Sequence, residues 1–591
     1  MLHTQIQITL RAAIREIAPG LDTGSIQVRP ATDPKFGDYQ CNSLIQLARE
    51  LKKNPRQLAT EVLARSDFSD VFESPEIAGP GYLNFRLLPA TLARVLTTAA
   101  AGNHLFFTPT ETPRTLVIDY SSPNVAKPMH VGHIRSTILG ASLARIFELL
   151  GHRVITDNHI GDWGTQFGML LVGWKTSLNR EALLQDPLSE MERIYKLINA
   201  QSDPERPGFI EGTREQARAE LVALQAGDPE NLAIWKEMIA LSQRQFDTIY
   251  GRLGVRFDHV LGESFYNPWL QATVDDLVKR GVARESQGAW AIFSDGTLPP
   301  KDDPFLTQRD GEWHPNPFLI QKADGGFNYA STDLATAQYR IETWAPTDIV
   351  YVTDGRQQLH FQQLFASFAR WKPEAAATVR MHHIWFGSIL GEDGKPLKTR
   401  SGENIRLSEL LDEAEERALK VVTEKRPDLD DAARREIARM VGLGAVKWQD
   451  LLPNRQSDYV FSWDKMLALT GNTAPYVQYQ STRAGKVVRD AGETNLVVAP
   501  GSLTESAELA LARHLLYFGT TLEGAVAEFR PNYLCNYLFE LASLYSRFYE
   551  QCPVLKAEEP IRSARLCLCV LTTRVLRQGL SLLGIEAPEV M

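Results

Sequence analysis

Apolar positions recur along this chain in two periods, and the switches between them divide it. Over 115–118, Thr-Leu-Val-Ile is the short continuous run of a buried parallel strand. Ile134, Ile138, Ala141, Leu143, Ile146 and Leu150 then return at helical spacing until Gly151, with Pro128 near the expected first turn. A second strand over 153–156 completes the βαβ opening of a doubly wound parallel sheet. From about 175 to 320 the pattern changes to polar amphipathic helices, such as 214–226 and 232–253, which read as an insertion. The sheet is expected to resume at 327–330, at 348–352 and around 384–389. Beyond about 405 the chain reads as helix throughout: 408–425, 430–446, 463–490, 505–528, 532–550 and 561–583. Ahead of the sheet, residues 1–110 mix a first helix, a turn at 37–40, a helix near 42–52 and a strand-like 81–87. The stretch 102–113, rich in Pro, Thr and Asn, reads as a linker.

The expected architecture is therefore α/β. A Rossmann-like doubly wound parallel sheet spans 111–404 with 175–320 inserted, an α+β unit precedes it at 1–110, a helical junction covers 405–455, and an all-α domain covers 456–591. At 591 residues several domains are required. A hydrophobic content of 44% with 23% charged residues is that of an ordinary globular protein. No apolar run approaches the roughly 18 residues of a membrane span, so no membrane partner is expected. The opening residues lack the basic-then-apolar order of a secretory signal. The five Cys have no CxxC spacing, which points to reduced thiols in a cytoplasmic protein and to no zinc site. A net charge of −9 reports only the monopole and leaves a nucleic-acid partner open, since Lys/Arg clusters occur at 483–489 and 562–577.

The densest chemistry lies at Asp119–His133, DYSSPNVAKPMHVGH. A strand, a Gly-containing turn and a helix N-terminus form a phosphate site when helix N–H groups and the dipole face the anion. Lys127, His130, Gly132 and His133 add donors and charge at that place. A lone His-x-Gly-His also fits a structural turn or half of a metal site. The longer pattern Pro123 to His133, with the preceding serines, resembles the first signature of class I aminoacyl-tRNA synthetases in the extended form of the arginyl enzymes. The resemblance implies a second phosphate loop, and the candidate is Gly394-Lys-Pro-Leu-Lys-Thr-Arg-Ser-Gly402. Against Lys-Met-Ser-Lys-Ser its lysines fall on Pro396 and Thr399, and the charge moves to Lys395, Lys398 and Arg400. Lys127 is a candidate replacement cation.

Tyr329 and Asp333, four apart, share one face if helical. With Gln357 they resemble the guanidinium pocket of the arginyl enzymes. The chemistry agrees, because a guanidinium offers a planar fork of donors and wants fixed carboxylate and carbonyl acceptors. Asp119, Ser121 and Asn124 can accept from the α-amino group of the same substrate. The segment His159–Gly168 also resembles the family and equally suits a tight turn.

The resemblance further implies ATP, accompanied by Mg²⁺, as substrate, L-arginine as the amino acid and the cognate tRNA as acceptor, with a monomer expected. Adenylate formation would release pyrophosphate, and a terminal ribose hydroxyl would then take the arginyl group. The C-terminal helices resemble an anticodon-binding domain, with Tyr479, Arg483, Tyr545, Tyr549 and Met591 as candidate contacts; Tyr545 and Tyr549 fit a helix-bundle core better than a stacking surface. The N-terminal unit resembles the added domain that touches the tRNA elbow, with Tyr82 and Asn84 as candidates. The family usually ends in Arg-Met, where this chain has Val590-Met591. Another class I synthetase, such as the cysteinyl enzyme, would be expected to carry zinc ligands in the sheet domain, and no Cys lies between 42 and 534. A catalytically dead relative serving as an RNA-binding module would need neither a phosphate site nor a guanidinium pocket.

Overall fold

The computed structural model describes residues 1–102, 105–398, 404–492 and 496–591, which divide into two compact units. One comprises Glu111–Arg417 and Gln449–Trp463. At its centre is a four-stranded parallel sheet in the order Arg380–His383, Asp348–Val352, Thr115–Tyr120, Arg153–Asp157. Leu116, Val117 and Ile118 are fully buried, as expected of a strand covered on both faces. The helix Gly132–Leu149 follows, and Gly140 allows it to lie against the Tyr120 ring, which an added Cβ would enter. One core joins Val117, Ile349 and Tyr351 of the sheet to Leu334, Phe361 and Trp371 of the helices Tyr329–Trp344 and Gln358–Trp371.

Several expected elements differ. Residues 327–330 do not form a strand. Asn328 accepts from the Tyr329 N–H and starts the helix Tyr329–Trp344 there, so a capping residue overrides the apolar look of the stretch. The inserted region is helical only to Lys279. Its second half forms a three-stranded antiparallel sheet, Phe318–Gln321, Ala289–Ile292 and Ala283–Ser286, and a hairpin of Leu306–Arg309 with Glu312–Pro315. The strand expected around 384–389 lies earlier, at Arg380–His383. Its polar residues hide it, because it is an edge strand with Arg380 and His382 bound to the buried carboxylate of Asp348. Ile389–Leu390 instead pairs with Tyr459–Val460. Pro128 precedes the helix Gly132–Leu149 and has no place in its first turn.

The second unit comprises Met1–Thr110, Ala418–Trp448 and Asp464–Met591. Its N-terminal part carries a four-stranded sheet, Val28–Pro30, Tyr39–Cys41, Tyr82–Phe85 and Glu76–Ala78, with the helices Leu2–Ile17, Pro55–Leu63 and Pro89–Ala101. The C-terminal part is built of helices including Ala474–Ala491, Ser506–Leu516, Asn532–Gln551 and Ile561–Leu582. The two parts pack on each other. Arg513 pairs at 2.6 Å with the buried Asp38 carboxylate, and Arg574 donates to the Ala99 and Gly102 carbonyls. No helix is long and apolar enough to cross a membrane, among the described residues.

Gly140 separates two magnitudes. Helix propensity alone would make Gly140→Ala stabilising by up to about 1 kcal/mol, whereas overpacking against Tyr120 costs about 1–3 kcal/mol. Chemical denaturation is expected to show the variant less stable than wild type.

Candidate active site

The site is built where the chain leaves the strand Thr115–Tyr120. Ser121, Ser122 and Ala126 all take positive φ, at 75°, 48° and 62°, a conformation costing about 1–3 kcal/mol for each non-glycine residue. Directed hydrogen bonds offset it. The Ser121 N–H donates to Ser136 Oγ, the Ser122 N–H to Asn158 Oδ1 and the Ala126 N–H to Ser242 Oγ, at 2.8–3.0 Å. Gly161 has no Cβ because Asn124 Oδ1 fills that place, and the Val125 N–H donates to its carbonyl.

The helix start differs from a bare anion cradle. The Gly132 N–H donates to His130 Nδ1 at 3.1 Å and the His133 N–H to the His130 carbonyl at 2.8 Å, so these N–H groups are already used. The His130 N–H in turn donates to His133 Nδ1 at 3.1 Å. Both imidazoles accept at Nδ1, which assigns their proton to Nε2. The rings lie 4.1 Å apart, and an added Cβ on Gly132 would stand 2.9 Å from the His130 ring. Burial, with His130 beside it, pushes His133 down to about 3. Burial, with Arg356 and Lys127 nearby, lowers His130 as well. Two neutral Nε2–H donors therefore stand where the sequence suggested free backbone N–H groups. Lys127 is exposed, its Nζ 5.3 Å from the Tyr195 ring centroid.

The second loop is tied to this turn. The Val131 N–H donates to the Ile405 carbonyl and the Leu407 N–H to the Met129 carbonyl, both at 2.9 Å. Lys395 and Lys398 are exposed on the hairpin, where Leu390 bridges Pro396 and Lys398 bridges Asn404. Arg400 lies outside the described residues.

At the other end, Tyr329 is 67% exposed and Asp333 sits one turn along the same helix. His360 Nε2 lies 2.5 Å from Asp333 Oδ2 and fixes that carboxylate. Gln357 is exposed on the turn Gly355–Gln357. Sequence reasoning missed Glu263. Burial, with the carboxylates of Asp333 and Asp162 beside it, pushes it up to about 8, and the same environment raises the Tyr329 phenol. Burial gives it away, and nothing in its local sequence does.

Two of the proposed α-amino acceptors are corrected. Asp119 is buried, its Oδ2 taken by Arg340 at 2.7 Å and its Oδ1 by Ser122 Oγ at 3.1 Å. The Ser121 hydroxyl is buried between Thr137 Oγ1 and Tyr250 Oη, both at 2.8 Å. Asn124 alone of the three is exposed. In the segment 159–168, Asp162 accepts from the Ser264 N–H and hydroxyl, the work of a structural turn.

The RNA-contact candidates of the other unit separate by burial. Tyr479 and Tyr549 are exposed, and the Arg483 guanidinium lies 3.8 Å from the Tyr549 ring centroid. Tyr545 is fully buried and cannot stack on a base. Asn84 is buried in the sheet, accepting from Gln40 Nε2 at 2.8 Å, and is no surface contact. Tyr82 is half-buried. Met591 packs against the cluster of Val422, Ile437 and Val441, which accounts for its side chain.

Comparison with known proteins gives one answer over the whole length. Residues 96–463 match the family described as tRNA synthetases class I (R), catalytic domain; residues 477–591 match the DALR anticodon binding domain; residues 4–87 match the arginyl tRNA synthetase N terminal domain. The chain is 44% identical over 596 residues to an arginine–tRNA ligase of Chromobacterium violaceum, covering 100% of this chain and 99% of that protein. It is 44% identical over 572 residues to one of Escherichia coli O157:H7, covering 96% of each. Among solved structures, the Thermus thermophilus arginyl-tRNA synthetase superposes with a TM-score of 0.85 at 28% identity, covering 100% of both chains. The Plasmodium falciparum enzyme gives 0.80 at 26%, covering 100% of this chain and 99% of that one.

The neutral His pair has a measurable signature. A histidine held near 3 when folded, against about 6.5 unfolded, lets the unfolded chain bind the extra proton between those values. Its stabilisation is complete above about pH 6.5 and is lost as pH falls through that window, at up to about 1.4 kcal/mol per pH unit. His133→Asn, which keeps an acceptor and cannot titrate, is expected to lose less stability than wild type between pH 6.5 and 4 in denaturant titrations.

Proposed function

The chain belongs to the arginyl-tRNA synthetases, and from that premise we propose which of its residues carry out the two steps of charging. The reaction joins L-arginine to its tRNA at the expense of ATP. The arginine carboxylate attacks the α-phosphorus and pyrophosphate leaves; the terminal ribose hydroxyl of tRNA then attacks the activated carbonyl and AMP leaves. Neither step needs a covalent enzyme intermediate, so alignment and charge stabilisation dominate. Magnesium belongs here to the substrate, as the counter-ion of the triphosphate.

His130 and His133 are assigned to the ATP phosphates, each offering Nε2–H. His133, held near 3, is neutral at neutral pH, burial biases His130 the same way, and both act on the charge that grows at phosphorus. Positive charge is assigned to Lys127, which acts on His130, and to Lys395, Lys398 and Arg400 of the second loop, while Arg356 is paired with Asp354. Asn124 is assigned to the α-amino group. Asp333, Tyr329 and Gln357 take the guanidinium, with Glu263 as a further carboxylate.

The observation that carries this reading is the acidic group of Asp333, Glu263 and Asp162 beneath an exposed tyrosine, in the same unit as the paired neutral histidines. A lysine substrate would reach one carboxylate as a point charge and leave the other acceptors unpaired. The tRNA partner is assigned to Tyr479, Arg483 and Tyr549, whose exposed rings suit stacking on splayed bases. A monomer in the cytoplasm is the reading we adopt, and five buried cysteines that form no disulfide support its second half.

Arginine-dependent pyrophosphate exchange tests the whole. Exchange is expected with arginine and tRNA together and with no other amino acid; absence of exchange under both conditions, with and without tRNA, overturns the assignment. Lys127→Ala is expected to lose more exchange than Lys398→Ala, and the reverse order would move the phosphate role to the second loop. Glu263 gives a pH test. Protonated below about 8 in the free enzyme, it must ionise to pair with the guanidinium, so KM for arginine is expected to fall as pH rises toward 8 and then level. Glu263→Gln is expected to raise KM and flatten that dependence.

A further inference from the structure

Arg340 lies on the helix that carries Tyr329 and Asp333, seven residues beyond the latter. Seven residues are about 10 Å of helix axis and place the two on the same side. Arg340 is fully buried. Its Nη2 donates to Asp119 Oδ2 at 2.7 Å and to Asp157 Oδ2 at 2.8 Å. These aspartates face each other across the sheet, at the ends of the neighbouring strands Thr115–Tyr120 and Arg153–Asp157. One guanidinium therefore pins the helix of the guanidinium pocket to both strand ends.

The same strand ends set the opposite side of the site. Asp119 leads directly into the turn of Ser121, Ser122 and Asn124, and its Oδ1 holds Ser122 Oγ. Asp157 is followed by Asn158, which fixes the Ser122 N–H. Asn124 at one end and Asp333 at the other are thus tied to a common anchor. Apolar packing would hold the helix down with equal strength. It has no directional preference and tolerates sliding, which paired charge-assisted hydrogen bonds do not. The arrangement is not optimised for stability, since Arg340 Nε and Asp157 Oδ1 find no hydrogen-bond partner among the described residues.

We propose that Arg340 is a positioning residue that sets the length of the amino-acid pocket, so that side chains one methylene longer than arginine are rejected. Arg340 touches no substrate and acts through the helix bearing Asp333. The proposal rests on the assignment of Asp333 and Asn124 to the two ends of arginine. Lysine at this position would keep the buried charge on a shorter side chain, whose Nζ stops short of the place that Nη2 takes between the two carboxylates. The helix would then settle on one aspartate.

The test is pyrophosphate exchange in the presence of tRNA, with kcat and KM measured for arginine and for homoarginine. A fixed pocket discriminates one methylene by roughly 10–200-fold. Wild type is expected to show a preference of that order. Arg340→Lys is expected to lower it at least tenfold, chiefly through a smaller KM for homoarginine relative to arginine. Asp157→Asn removes one prong with almost no change of shape and is expected to lower the preference in the same direction; it decides the matter alone if Arg340→Lys does not fold. Equal losses for both amino acids in Asp157→Asn, leaving the ratio within threefold of wild type, would show a merely structural network and overturn the proposal. Wild type inactive with arginine would instead overturn the functional assignment beneath it.

Discussion

The active unit depends on the sharp exit of the chain from its central strand. An extended strand that ran on past Tyr120 would carry the next residues away from the helix that follows. Left-handed backbone at Ser121 and Ser122 turns it back, and only local hydrogen bonds make that affordable. From this turn follow the seat of Asn124 against Gly161, the approach of Met129–Val131 to Ile405–Leu407, and the ring pair at His130 and His133. The same strand end presents Asp119 to Arg340. A change that relaxed the turn would therefore disturb both ends of the site together.

How much of this can be read from the chain depends on the range of the contacts involved. The run 115–118, the periodic helix after it and the Pro123–His133 pattern are local features, and the fold places them as a strand, a helix and the turn between. Arg340 and Asp157 are different. An arginine in a polar-looking helix reads as solvated face, and only the packing of that helix over two strand ends makes it a buried link. Glu263 shares that history. The spacing of Tyr545 and Tyr549 fits both core and stacking surface, core being favoured, and the bundle turns the first ring inward and leaves the second out. The hidden edge strand Arg380–His383 failed for a related reason: its polar side chains serve the buried Asp348, so alternation carries no trace of it.

The histidine pair refines what the helix N-terminus contributes. The dipole still favours an anion at Gly132, yet the first N–H groups are consumed by His130 itself. The consequence is a transfer of function from backbone to side chain. The backbone bonds fix the tautomers, and the tautomers direct the donors. Such donors are held by backbone hydrogen bonds, and burial keeps His133 near 3 and lowers His130 too. Exposed Lys127 and Arg356 add positive charge near the pair.

Charge is thus sorted by position within one unit, and the overall value of −9 hides it. Lys127 and Arg356 act on His130, while Asp333 and Asp162 act on Glu263. A cation placed at the acidic end repels no neighbour and allows Glu263 to ionise. A polyphosphate at the other end meets donors that need no change of protonation. Arg340, buried in the same unit, offsets part of the charge of Asp119 and Asp157.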